Sequence, residues 1–159
     1  MYETLPEHLL ETWAIHNRIH LFLLESVPAE AFHAIAASKG RSVVEQFAHI
    51  HKVRLMWLKA AAPHLLNNCT QELVKGDPLE DISILALALT QSSHAIEEML
   101  REGLKSGRIK SFKPHPTAFL GYLISHESHH RGQIALILKQ AGYPVSKKIS
   151  FGMWEWGVR

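Results

Sequence analysis

The segment Ser125-His126-Glu127-Ser128-His129-His130-Arg131-Gly132-Gln133 sets two imidazoles four residues apart in an apolar-periodic stretch. On a helix four residues turn through about 400°, so His126 and His130 stand one turn apart and about 40° from each other around the axis. Two neutral imidazoles so placed can close on one divalent metal ion, with a third ligand drawn from another element. The bland alternative is a pair of partly buried histidines satisfied by backbone or water. Histidine is in excess, at 12 of 159 residues, so the remaining ones have to be weighed as ligands too.

His129 falls about 60° off the line of the pair, and adjacent helical residues diverge by about 100°, so it cannot easily share a metal with His130. It is read as a flanking group that supports a ligand or touches substrate. Gln133, one turn past His130, could orient a ligand or bind substrate in the same way. Earlier in the chain His49 and His51 point about 200° apart on one helix, so at most one can complete the set. Val44, Phe47, Leu55 and Leu58 define an apolar face that contains His51, and periodicity slightly favours that residue. His16 and His20 form a rival pair at the same spacing near Trp13 and Leu24, with no carboxylate on their own turn. His8, His33, His64, His94 and His115 occur singly and read as solvated or locally hydrogen-bonded. Glu127 is the nearest acidic candidate for a general base, but it projects about 100° away from His126. There is no Gly-rich phosphate loop, Cys-x-x-Cys pair or Gly-x-Ser-x-Gly elbow. His126 and His129 miss the zinc-protease spacing by one residue.

Helices must position these side chains. One is expected from about Pro6 to Ser26, closed by Pro28, with Leu9, Leu10, Trp13, Leu21 and Leu24 at helical spacing. A second opens on the capping box Ser42-Val43-Val44-Glu45 and stops at Pro63. The third is expected to open on Asp77-Pro78-Leu79-Glu80 and run to about Lys105, before Gly107. The fourth follows His115-Pro116 and reaches Gln140, where Gly142 and Pro144 block it. The tail, with Trp154 and Trp156, is expected to pack back on the bundle. These elements specify an all-α four-helix bundle in a single domain over residues 1–159.

Composition narrows the function classes. A hydrophobic fraction of 47% with 20% charged residues is that of a globular protein, and a net charge of +2 with scattered cations argues against nucleic acid or a membrane surface as partner. No stretch reaches the roughly 18 apolar residues of a spanning helix. Cys69 is the single cysteine, and the first residues lack the basic start and apolar run of a leader, so a cytoplasmic location is expected.

Two stretches carry a family resemblance. Ser42-Val43-Val44-Glu45-Gln46-Phe47-Ala48-His49-Ile50, with Trp57 eight residues after His49, is similar to the second-helix motif of the DinB-like (DinB/YfiT-like) superfamily of bacterial four-helix metalloproteins. His126-Glu127-Ser128-His129-His130-Arg131-Gly132-Gln133-Ile134 resembles its fourth-helix motif, and Gly152-Met153-Trp154-Glu155-Trp156-Gly157 its tail. Carried over by position, the resemblance implies that His49, His126 and His130 bind the metal, zinc or nickel, and so prefers His49 over His51. It also implies a homodimer and a small-molecule substrate, since relatives act with low-molecular-weight thiols such as bacillithiol or mycothiol. The expected function is a metal-dependent hydrolase or thiol-dependent transferase. The competing expectation is a non-catalytic metal-binding or stress-response dimeric bundle.

Overall fold

A computed structural model describes residues 4–71, 73 and 81–159. Four long helices form the body: α1 (Leu5–Glu25), α2 (Val43–Ala61), α3 (Ile82–Ser106) and α4 (Pro116–Gln140). A short α5 (Lys147–Gly152) follows, and among the described residues the sole β pairing is an isolated bridge between Ile109 and Phe112.

The helix ends follow local chemistry. Ser42 caps α2 by accepting the Glu45 N–H, while the Glu45 carboxylate accepts the Ser42 N–H at 2.8 Å, so two otherwise orphaned donors are satisfied. The expected cap at Asp77, with Pro78 and Glu80, lies outside the described residues. In the described chain α3 starts at Ile82, with the Asp81 carboxylate accepting the Ser83 N–H at 2.8 Å. Gly107 ends α3 at φ +76°, a left-handed conformation that costs glycine nothing. His115 caps α4, its Nδ1 accepting the Ala118 N–H at 3.1 Å.

Two apolar clusters show how the helices run. One holds Leu23 and Leu24 of α1, Val43, Val44, Phe47, Ala48 and Ile50 of α2, Leu85 and Leu89 of α3, and Ile134, Ile137 and Leu138 of α4. The other holds Leu10 and Trp13 of α1, Leu58 of α2, Ala95, Ile96, Met99 and Leu100 of α3, and Phe119, Leu120 and Leu123 of α4. From one end to the other, α2 and α3 therefore run together, antiparallel to α1 and α4. Ala61 and Ile82 accordingly lie at opposite ends of the bundle, as expected for parallel neighbours. Both α1 and α2 pack against α3 and α4.

Between the clusters lies a polar layer to which every long helix contributes: His16, Asn17 and His20; His51 and Arg54; Ser92 and Ser93; Glu127 and His130. Buried polar groups are tolerated only when hydrogen-bonded, because an unmatched one costs roughly 1–3 kcal/mol.

The tail does pack back, with Trp154 left outside. Gly152 lies so close to the Phe22 ring that a Cβ there would meet its carbons at 2.8 Å, and the Arg159 guanidinium sits 3.8 Å from the centre of the same ring. Arg18 Nη2 donates to the Arg159 carbonyl at 2.8 Å. Trp154 remains 78% exposed and Phe151 68%.

Candidate metal centre

Two groups of metal-ligand type lie in the polar layer or at its edge. The first joins α2 to α4: the ligand nitrogens of His49, His126 and His130 all lie within 4.8 Å of one another. His126 Nε2 and His130 Nε2 are 3.2 Å apart, and the His49 ring centre is 4.7 Å from that of His130. The apolar stripe of α4 explains the inward aim, since Leu123, Ile134 and Ile137 are buried on the line of His126 and His130.

Gln46, one turn before His49, holds His130 in place. Its Oε1 can only accept, so the 2.7 Å contact puts the proton on His130 Nδ1 and leaves the Nε2 lone pair facing His126. The residue lies within the second-helix motif, but its role went unread there. The only sequence signal was its i, i+3 spacing from His49. Burial depresses the basicity of all three histidines. For His130 burial, then the neighbouring His126 and His49, push the pKa down to about 4. For His49 burial acts first and Arg41 next, and for His126 burial dominates while Glu127 opposes it. At neutral pH the group therefore offers neutral imidazoles, as metal binding requires.

His51, which apolar periodicity favoured, is elsewhere. It is fully buried, and its Nε2 donates to the carbonyls of Thr70 at 3.0 Å and Gln71 at 3.3 Å. The periodicity argument fails because α2 is buried around most of its circumference, so the most apolar face selects the deepest histidine. His129 and Gln133 pair with each other, the Gln133 amide donating to His129 Nε2 at 3.0 Å on the exposed flank of α4. The His129 ring lies 5.2 Å from that of His130, edge to face.

The second group is sealed in the bundle. His16 Nε2, His20 Nε2 and Glu127 Oε2 lie 3.0 Å from one another, with all three side chains at 0% exposure. By donor type and spacing they too could hold a metal ion. Arg54 grips the same carboxylate, donating from Nε to Oε1 at 2.7 Å and from Nη2 to Oε2 at 2.8 Å. It also donates to Asn17 Oδ1 and the Leu89 carbonyl, each at 2.9 Å. Burial would raise the Glu127 carboxyl, but the charge and hydrogen bonds of Arg54, with His16 and His20, hold it well below the usual carboxylate range. Locked in this way, Glu127 has no path to a substrate as general base. No carboxylate lies on the turn of His16 and His20 themselves; theirs comes from α4.

Of the two groups, the first suits an exchangeable ion better. It is part-exposed, uncharged and braced by Gln46. The second already has its carboxylate neutralised by Arg54 and is fully buried, with no face open to solvent.

These buried histidines give an acid-stability prediction. Burial lowers the pKa of His16 and His51, and burial followed by the His16 charge lowers that of His20 to about 3, from 6.5. Below pH 6.5 the unfolded chain takes up protons that the folded chain refuses, so stability falls as pH falls, down to the folded pKa. Each fully buried histidine contributes about 1.4 kcal/mol per pH unit in that window. Glu127 acts in the same direction below its ordinary 4.5. Urea midpoints of chelator-treated protein should drop steeply between pH 7 and 5. A flat profile there would contradict neutral burial.

The sequence profile of the DinB family matches residues 1–149. The chain belongs to the DinB family. It is similar to two proteins of Bacillus subtilis (strain 168). One is the uncharacterized protein YrdA, 24% identical over 168 aligned residues that cover 98% of this chain and 94% of YrdA. The other is protein DinB, 23% identical over 142 residues that cover 82% of each. A crystal structure of a DinB-like protein from Bacillus cereus ATCC 10987 superposes with a TM-score of 0.64 at 23% identity, over 92% of this chain and 99% of that one. The likeness establishes the DinB-like helical fold. His49, His126 and His130 all fall within the matched span.

Proposed function

We propose that the protein is a metal-dependent enzyme, a hydrolase or thiol-dependent transferase, with His49, His126 and His130 as ligands to one zinc or nickel ion. The convergence of three neutral imidazoles from α2 and α4 supports this reading most directly. A divalent ion held by three protein ligands keeps open positions, where it can act as a Lewis acid and lower the pKa of bound water toward about 7. The protein's own part is positioning. Gln46 fixes the His130 tautomer, and α4 sets His126 one turn away. The half-buried His49 and His126 leave the group open on one side for a small molecule, low-molecular-weight thiols included. No helix among the described residues is long and apolar enough to cross a membrane. We place the protein in the reducing cytoplasm, since its one cysteine, Cys69, is half-buried and burial raises its thiol pKa.

The test is metal analysis of purified protein, followed by a screen of the zinc- and nickel-loaded forms against ester, amide and thiol-transfer substrates. Turnover that tracks metal occupancy is expected. Full turnover after complete demetallation would overturn the mechanism.

We also propose a homodimer. Leu136, Phe151 and Trp154 are 52%, 68% and 78% exposed, a concentration of bare apolar surface in the C-terminal part of the chain. Light scattering at micromolar concentration should give twice the chain mass. The mass of a single chain would end the idea.

A further inference from the structure

Beside the histidines of α2 and α4 stands a cluster of part-exposed aromatic rings. Tyr122, one turn before His126, lies nearly parallel to the His126 ring at 22° with the centres 6.2 Å apart. Trp57 stands two turns after His49 on the antiparallel α2, so both rings fall on the same side of the histidine group. Trp57 meets Tyr122 at 5.7 Å and Phe112 at 5.7 Å, in both cases edge to face. Behind them Phe119 is fully buried and belongs to the core, 5.1 Å from both Trp57 and Phe112. The front of the cluster is not closed: Tyr122 is 38% exposed, and Trp57 and Phe112 are half-buried.

We infer that Tyr122, Trp57 and Phe112 form a subsite for the aryl or other flat apolar portion of a small molecule whose polar head reaches His49, His126 and His130. The inference rests on the reading of those histidines as a metal site. Three features favour this occupant over a purely structural cluster. The cluster is continuous with the histidines through the Tyr122–His126 stack, so a ligand seated on one touches the other. Its rings brace one another edge to face, so they are held in place before a ligand arrives and little side-chain freedom is left to lose. A flat apolar group laid on Tyr122 also removes exposed ring surface from water, as burial against Phe119 already does for the back of the cluster.

The experiment compares two hydroxamates, which share a metal-binding head and differ in their bodies. Isothermal titration of the zinc-loaded protein with acetohydroxamate and benzohydroxamate is expected to give about tenfold tighter binding of the aryl compound, the size of effect one well-placed ring contact produces. Tyr122→Ala should erase that preference while the zinc content and the acetohydroxamate affinity hold. Tyr122→Phe should keep the preference, because the ring face and not the hydroxyl is used. Equal affinities of the two probes for the wild type, or an undiminished preference in Tyr122→Ala, would overturn the subsite. A second arm reads the cluster without metal: saturation-transfer NMR of phenol with chelator-treated protein should show contact that Tyr122→Ala loses, and no contact with the wild type would also overturn the subsite. Phenol contact in a protein that binds neither zinc nor acetohydroxamate would sink the metal reading and leave the subsite standing. Thermal melts confirm that each variant is folded, which the exposure of Tyr122 favours.

Discussion

Zinc or nickel supplied at one equivalent should remain with the His129→Ala protein and be lost from the His126→Ala and His130→Ala proteins. The geometry separates these cases. His126 Nε2 and His130 Nε2 face each other at 3.2 Å, with His49 of α2 beside them, whereas His129 is turned to the flank and engaged by Gln133. With only three protein ligands, removing one takes away a bond no neighbour can replace. The affinity loss should exceed the 10–100-fold that follows from mutating a residue that merely supports a ligand. Gln46→Ala should fall within that smaller range, since it frees the His130 ring without removing a donor. Mass-spectrometric metal analysis of the single variants decides the matter. Equal metal in His126→Ala and the wild type would refute the assignment.

The second large effect concerns the buried charge pair. Arg54→Ala should destabilise the protein by about 3–5 kcal/mol, because it strands an ionised carboxylate in the interior. Against a typical total of about 5–15 kcal/mol, that is enough to leave a marginal fold at room temperature. The loss is not that of one contact. Arg54 also satisfies Asn17, the Leu89 carbonyl and, at 3.5 Å, the Ser92 hydroxyl, and so ties α1, α3 and α4 to α2. Glu127→Ala should be similarly damaging, since it strands the guanidinium instead. The double variant should lose less than the sum of the two, with a coupling above about 1 kcal/mol. Urea denaturation of the four proteins checks this. Strict additivity would mean that the pair is solvated and not buried.

Much of the fold was readable from the chain because it rests on local rules. Ser42 and Glu45 form the capping box their spacing announces, Pro116 opens α4, Gly107 closes α3, and helical spacing of apolar residues marks the four long helices. The His126 and His130 pair was likewise a local matter, because i, i+4 spacing places two side chains on one face whatever the rest of the chain does. The family resemblance supplied His49, which periodicity alone would have exchanged for His51.

What depended on tertiary structure were the relations between helices. Residues far apart in the chain, such as His16 and Glu127, carry no spacing rule that connects them. Only the packing of α1 on α4 brings His20 Nε2 and Glu127 Oε2 to 3.0 Å, and only the packing of α2 on α4 delivers Arg54 to the same carboxylate. The helical angle between His126 and Glu127 showed that the two point differently, but not that one would stay part-exposed and the other be sealed in the core. The same holds for the tail, expected to pack back, where the contacts turn out to be Gly152 and Arg159 against Phe22 and Ile149 and Met153 against the core. Local sequence decides where a helix starts, stops and turns its faces. Which groups those faces meet is decided by how the helices cross, a property of the whole packed core.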